Sequence, residues 1–111
     1  MSTDELRDLV IHTLEEMKGQ NILELDVREK TSITDIMVIV SGTSTRHVRG
    51  LAEQVALEAK KVGVQPLGTE GEREAEWVLV DLGDVVVHVM KPEVREFYSL
   101  EKLWSVDAVV D

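Results

Sequence analysis

Two valine-rich runs, Trp77 to Val80 and Val85 to Met90, flank Asp81-Leu82-Gly83-Asp84, and this arrangement constrains the fold more than any other stretch of the chain. Gly83 can take the positive φ that a tight turn needs, so the segment reads as a β-hairpin. With Leu82 and Gly83 as the loop, Asp81 lies opposite Asp84, Val80 opposite Val85, Leu79 opposite Val86, Val78 opposite Val87 and Trp77 opposite His88. Side chains alternate along a strand. Val78, Val80, Val85, Val87 and Val89 therefore make one apolar face, while Trp77, His88, Met90 and Asp81 share the other. The valine face is core, and the mixed face is the place to look for function.

Taken in order, the chain opens with Ser2-Thr3-Asp4-Glu5, a capping-box start. Leu6, Leu9, Val10, Thr13, Leu14 and Met17 then recur at helical spacing until Gly19 supplies a stop. Leu23, Leu25 and Val27 alternate with Glu24 and Asp26, as in a strand with one wet face. Ile36 to Val40 is apolar at every position, which places it inside the sheet and covered on both sides. After Ser41-Gly42-Thr43-Ser44, the positions Val48, Leu51, Ala52, Val55, Ala59 and Val62 form the buried stripe of a second helix that Gly63 ends. Val64-Gln65-Pro66-Leu67 is a short strand at most, and Pro66 puts it at a sheet edge or breaks it. Beyond the hairpin, Pro92 can start a helix with Val94, Phe97 and Tyr98 along one side. Ser99 can cap a further turn carrying Leu100, Leu103 and Trp104, and the residues after it are expected to fray. Helix, strand, strand, helix, three strands and a helical tail make one α/β domain of 111 residues, long enough to bury roughly two thirds of its unfolded surface.

Composition removes several classes of function. Without cysteine there are no disulfides, thiolate zinc sites or cysteine nucleophiles. The longest apolar run falls far short of the ~20 residues that span a bilayer, and Asp4, Glu5 and Asp8 occupy the place where a cleavable leader would carry positive charge. A soluble cytoplasmic protein is expected, with no membrane contact. A net charge of -10 opposes attraction to a phosphate backbone and favours a basic protein as partner, so nucleic acid is not expected as the main contact.

Each candidate for chemistry has a plainer explanation. Strand, glycine turn and helix at Ser41 to Arg46 could cradle a phosphate, with hydroxyls from Ser41, Thr43, Ser44 and Thr45 and charge from Arg46 or Arg49. A single glycine lacks the spacing of a phosphate loop or dinucleotide fingerprint, and a capped helix after a tight turn explains the same residues. A nucleotide-binding or nucleotidyl-transferring enzyme using this turn remains the alternative function. Glu70, Glu72, Glu74 and Glu76 are better read as solvated loop carboxylates than as a metal site. Asp81 and Asp84 are turn formers, and His12, His47 and His88 lack metal-ligand spacing. No metal or cofactor is expected. Both tryptophans, the tyrosine and the phenylalanine lie after residue 76, which makes either one aromatic minicore or one binding patch.

Glu-Gly-Glu-Arg-Glu-Ala-Glu-Trp from Glu70, the hairpin that follows, Val94 to Trp104, and the run Asp35 to Val48 together resemble the Iojap family, the bacterial ribosomal silencing factor S, over about residues 4 to 105. The resemblance implies a small domain with a mixed, roughly five-stranded sheet and helices packed on it, similar to the nucleotidyltransferase fold without its activity. It implies a translational repressor that binds the large ribosomal subunit through a basic protein there, the fourteenth of the standard series, and blocks joining of the small subunit. A part in large-subunit maturation is also implied. By position, the partner-binding surface falls on Trp77, His88, Met90, Tyr98, Leu100, Lys102 and Leu103. The chain departs from the resemblance in two places, since many members carry an aromatic at or beside Ile36-Met37 and often a glycine near Ala75. A working transferase would need two alternate acids on the strand after the second helix, and Val64 to Leu67 has none, so transfer chemistry should fail. Self-association into a homodimer is a further expectation, because an exposed apolar patch can pair with its own copy.

Overall fold

The computed structural model describes residues 1–104 and the side chains of residues 1–103. The Trp104 side chain and the residues expected to fray lie outside the described residues. The elements follow the expected order: α1 (Thr3–Glu16), β1 (Gln20–Asp26), β2 (Ile36–Ser41), α2 (Thr45–Lys61), β3 (Gly68–Glu70), β4 (Trp77–Asp81), β5 (Val85–Met90), α3 (Pro92–Tyr98) and α4 (Leu100–Trp104). The five strands form one mixed sheet in the order β1-β2-β5-β4-β3. Only β2 and β5 are parallel; the other pairs are antiparallel.

Helices α1 and α2 pack on one face of the sheet. Leu6, Val10 and Leu14 from α1 and Val48, Leu51, Ala52, Val55 and Ala59 from α2 meet Ile36, Val38 and Val40 of β2 and the five hairpin valines. Each of those valines contributes on the order of 1.5–3 kcal/mol through burial. The opposite face carries a smaller cluster of Val27, Met37, Ile39 and Met90, with Leu25, Trp77, Val94 and Leu100 packed against it. Every residue of β2 is buried, as expected of a strand covered on both sides.

The hairpin register differs from the expected one by two residues. Trp77 pairs with Met90, Val78 with Val89, Leu79 with His88, Val80 with Val87 and Asp81 with Val86. The loop is Gly83-Asp84, because Leu82 is buried and donates its N–H to the Val85 carbonyl, extending the pairing by one step. Gly83 takes φ +89° at the first loop position, and the Asp81 carboxylate accepts its N–H at 2.9 Å. A shift of two preserves the parity of the side chains, so the valine and mixed faces stand as read.

Three other boundaries moved. The edge strand is Gly68–Glu70 rather than Val64 to Leu67, because Pro66 cannot donate to the ladder and pairing begins only beyond it. That strand carries one acid, Glu70, and no alternating pair. At the end of α1, Lys18 rather than Gly19 adopts the left-handed conformation, with φ +62°. Gly19 serves proximity instead, since a Cβ there would come within 2.7 Å of Val40 Cγ2. Finally, the side of α3 that carries Val94, Phe97 and Tyr98 is covered only in part: Val94 packs inward while Tyr98 and Phe97 are exposed.

Gly19 and Gly50 should therefore respond oppositely to alanine. Gly19→Ala overpacks the core and should cost about 1–3 kcal/mol. Gly50 lies inside α2, where an added Cβ meets nothing nearer than Met17 Cε at 3.9 Å. Gly50→Ala should stabilise by about 0.5–1 kcal/mol. Urea denaturation of the two variants measures both, and equal effects would contradict this packing.

Candidate functional site

The mixed face of the hairpin becomes a surface because the chain turns sharply after β5. Lys91 donates its N–H to the Glu76 carbonyl, and Pro92 then begins α3, which packs Val94 on the smaller core cluster. At Ser99, φ is +50°, which breaks the helical tail into α3 and α4. Tyr98 is thereby set against Trp77, with ring centroids 4.9 Å apart at 49°. Phe97 meets Tyr98 edge-on at 5.0 Å and 84°, and Trp77 lies 5.9 Å from His88. His88, Trp77, Tyr98 and Phe97 form one continuous row. It grades outward from half-buried His88 and Trp77 to Tyr98, 54% exposed, and Phe97, 80% exposed. Offset and edge-on ring contacts of this kind contribute roughly 0.5–1.5 kcal/mol each beyond burial.

The inner end of the row is fixed by a hydrogen bond. Trp77 Nε1–H donates to His88 Nδ1 at 2.9 Å. The two residues are diagonal rather than directly opposite, which lets the indole reach the imidazole edge. Burial pushes the His88 pKa down to about 4, so the ring is neutral at neutral pH.

The other positions implied by the resemblance divide into two groups. Lys102 and Leu103 are exposed on α4, Leu103 at 70%. Met90 is fully buried beneath α3 in the smaller core cluster, and this corrects its expected role: parity puts it on the mixed face, but Trp77 beside it and the tail cover it completely. Leu100 is half-buried against the same cluster and anchors α4.

Two contributors lie outside the surface that the resemblance implies. Phe97 carries only the signal of the aromatic cluster after residue 76, which leaves minicore and binding patch both open. Arg95 is buried, donating from Nη1 to Ser41 Oγ at 2.9 Å and from Nε to the Glu101 carboxylate at 3.3 Å. It ties the end of β2 to α4 and so holds the tail in place, a long-range contact that local spacing could not reveal.

The strand-turn-helix at Ser41 is occupied with its own structure. Ser41 is buried under Arg95, Ser44 accepts the His47 N–H as the cap of α2, and Thr43 donates its N–H to His47 Nδ1. The far nitrogen of His47 meets the Met17 carbonyl at 2.9 Å, joining α2 to the end of α1. Arg49 donates to the carbonyls of Glu72 and Arg73, which fastens the acidic loop to α2. Glu70, Glu72, Glu74 and Glu76 are all exposed. Among the described residues, no three His, Cys, Asp or Glu side chains are grouped to hold a metal ion.

Comparison with known proteins decides the family. The family model described as "Ribosomal silencing factor during starvation" matches residues 1–111. This chain belongs to the ribosomal silencing factor family. A silencing factor of Chromobacterium violaceum is 47% identical over 105 residues, covering 95% of this chain and 86% of that protein. A crystal structure of protein CV0518 from the same organism superposes with a TM-score of 0.92 at 47% identity, covering 94% of this chain and 87% of that one. The mouse protein named "Mitochondrial assembly of ribosomal large subunit protein 1" is 34% identical over 107 residues; these are 94% of this chain but 47% of the mouse protein. Ala75 is buried with φ +53° and closes the acidic loop by donating its N–H to the Gly71 carbonyl.

The buried imidazole makes a pH prediction. His88 binds its proton less readily when folded than its ordinary value of 6.5 implies, so the unfolded chain gains the proton first as pH falls. The stability it contributes is complete above about pH 6.5 and is lost progressively toward pH 4, by up to about 3 kcal/mol. The His88 ring resonances should titrate with a midpoint near 4 in NMR spectra. A midpoint at 6.5 would show that the ring is not buried in this way.

Proposed function

We propose that this protein is a non-catalytic, cytoplasmic repressor of translation that docks on the large ribosomal subunit through the row His88, Trp77, Tyr98 and Phe97, with Lys102 and Leu103 beside it. The observation that carries this reading is the exposure of a ring cluster whose inner end is fixed and whose outer end is bare. Interfaces draw most of their energy from such anchored aromatic residues. The partner is the basic fourteenth protein of the large subunit, and seating there obstructs joining of the small subunit. Charge complementarity supports a basic partner, because the net charge is -10 and Glu70 at the end of β3 and Glu72, Glu74 and Glu76 of the adjoining loop are exposed. Those carboxylates should act on association rate and salt dependence more than on affinity.

The non-catalytic reading is supported by the turn after β2, whose hydroxyls and histidine already cap α2, hold Arg95 and join the two long helices. A role in large-subunit assembly is a second reading, favoured by the name of the mouse relative, and it uses the same surface. Pairing with a second copy through the exposed rings would compete with docking.

Co-sedimentation with purified large subunits tests the proposal. Tyr98→Ala and Trp77→Ala should each weaken binding by roughly 2 kcal/mol or more, about thirtyfold. Phe97→Ala should weaken it while leaving the fold intact, since its side chain lies outside both core clusters. Unchanged co-sedimentation of all three would remove this face as the docking surface.

A further inference from the structure

The hydrogen bond inside the aromatic row fixes more than the position of the rings. An indole nitrogen carries a hydrogen and has no lone pair to accept with, so in the Trp77–His88 contact it is the donor and His88 Nδ1 must be bare. The opposite tautomer, or the protonated ring, would set two N–H groups against each other at 2.9 Å. The remaining hydrogen is therefore on Nε2. That atom has no partner among the described residues, yet no side-chain nitrogen or oxygen among them is buried without one, so Nε2–H reaches solvent. His88 also lines a cleft of about 210 Å³, together with Glu70, Gly71, Trp77 and Leu79.

We propose that His88 is a specificity residue of the docking surface: a fixed neutral donor whose Nε2–H takes a carbonyl oxygen of the partner protein seated in the cleft beside Trp77. This deepens the docking reading and rests on it. With one nitrogen accepting from Trp77 and the other carrying the hydrogen, His88 has no lone pair left for a lysine or arginine of the partner. Basic side chains are left to the exposed glutamates of the loop, Glu70 among them at the cleft itself. The site thus separates its two kinds of recognition: carboxylates meet charge, and the imidazole meets a backbone or amide oxygen. Gly71 lets the loop pack closely on the Trp77 backbone, since it takes φ +90° and a Cβ there would run into the Trp77 carbonyl.

The two nitrogens can be tested separately. A glutamine at position 88 reaches as far as Nε2 and keeps the outward donor, whereas an asparagine reaches only as far as Nδ1 and keeps the contact with Trp77. Binding of His88→Gln, His88→Asn and His88→Leu to purified large ribosomal subunits is measured alongside Tyr98→Ala, with the folding of each checked by its thermal transition. His88→Gln should bind within about threefold of the wild type, and His88→Asn and His88→Leu about tenfold more weakly, the loss expected of one interfacial hydrogen bond. If His88 only props Trp77 the order reverses, with asparagine preserved and glutamine weak, and the inference is overturned. It is also overturned, alone, if Tyr98→Ala weakens binding and His88→Leu does not. If neither variant weakens binding, the docking reading itself falls.

Discussion

Strand β2 is apolar on both faces, and most of the architecture answers the need to cover it twice. One cover is generous: α1 and α2 lie over Ile36, Val38 and Val40 together with the hairpin valines. The other is economical. Met37 and Ile39 are closed over by Val27, by Trp77 and Met90 of the hairpin, and by Val94 and Leu100 from the chain that follows it. The tail that supplies this cover is two short helices, neither of which would be stable alone. It is held by packing and by Arg95, whose guanidinium joins Ser41 to Glu101. Among the described residues this cover leaves Tyr98, Phe97 and Leu103 exposed, and the two rings belong to the proposed docking surface.

Trp77 belongs to both layers. Its body packs against the small core, its nitrogen is bonded to His88, and its ring carries Tyr98. A side chain fixed at several points presents its neighbours with little conformational entropy left to lose, which lowers the cost of ordering the surface on binding. The acidic loop is fastened separately, by Arg49 to the carbonyls of Glu72 and Arg73 and by Lys91 to Glu76. Its carboxylates are exposed while its backbone carbonyls are held by these bonds.

Much of this was legible because it is periodic. The order of elements, the burial of Ile36 to Val40, the valine and mixed faces of the hairpin and the cap at Ser2 all follow from spacing and local chemistry. The hairpin register did not, because Leu82-Gly83 and Gly83-Asp84 are both credible two-residue loops and the choice falls to the burial of Leu82. Met90 illustrates the limit of parity: alternation places it on the functional face, but only the path of the tail decides that it is covered. Arg95 and Phe97 show the same limit from the other side. One is a charge buried by partners 54 and 6 residues away, and the other is a hydrophobe left outside by a helix too short to declare its faces.

The claim on which the account turns is that the bare end of the aromatic row faces the large subunit. A photo-crosslinking residue in place of Phe97, with a control in place of Leu57, 47% exposed on α2 and outside the row, would test it most directly. Irradiation with purified large subunits should join the protein to one basic subunit protein from position 97 and not from position 57. Cross-links from position 57 alone would mean that the protein docks through its helical side and that the aromatic row serves another purpose.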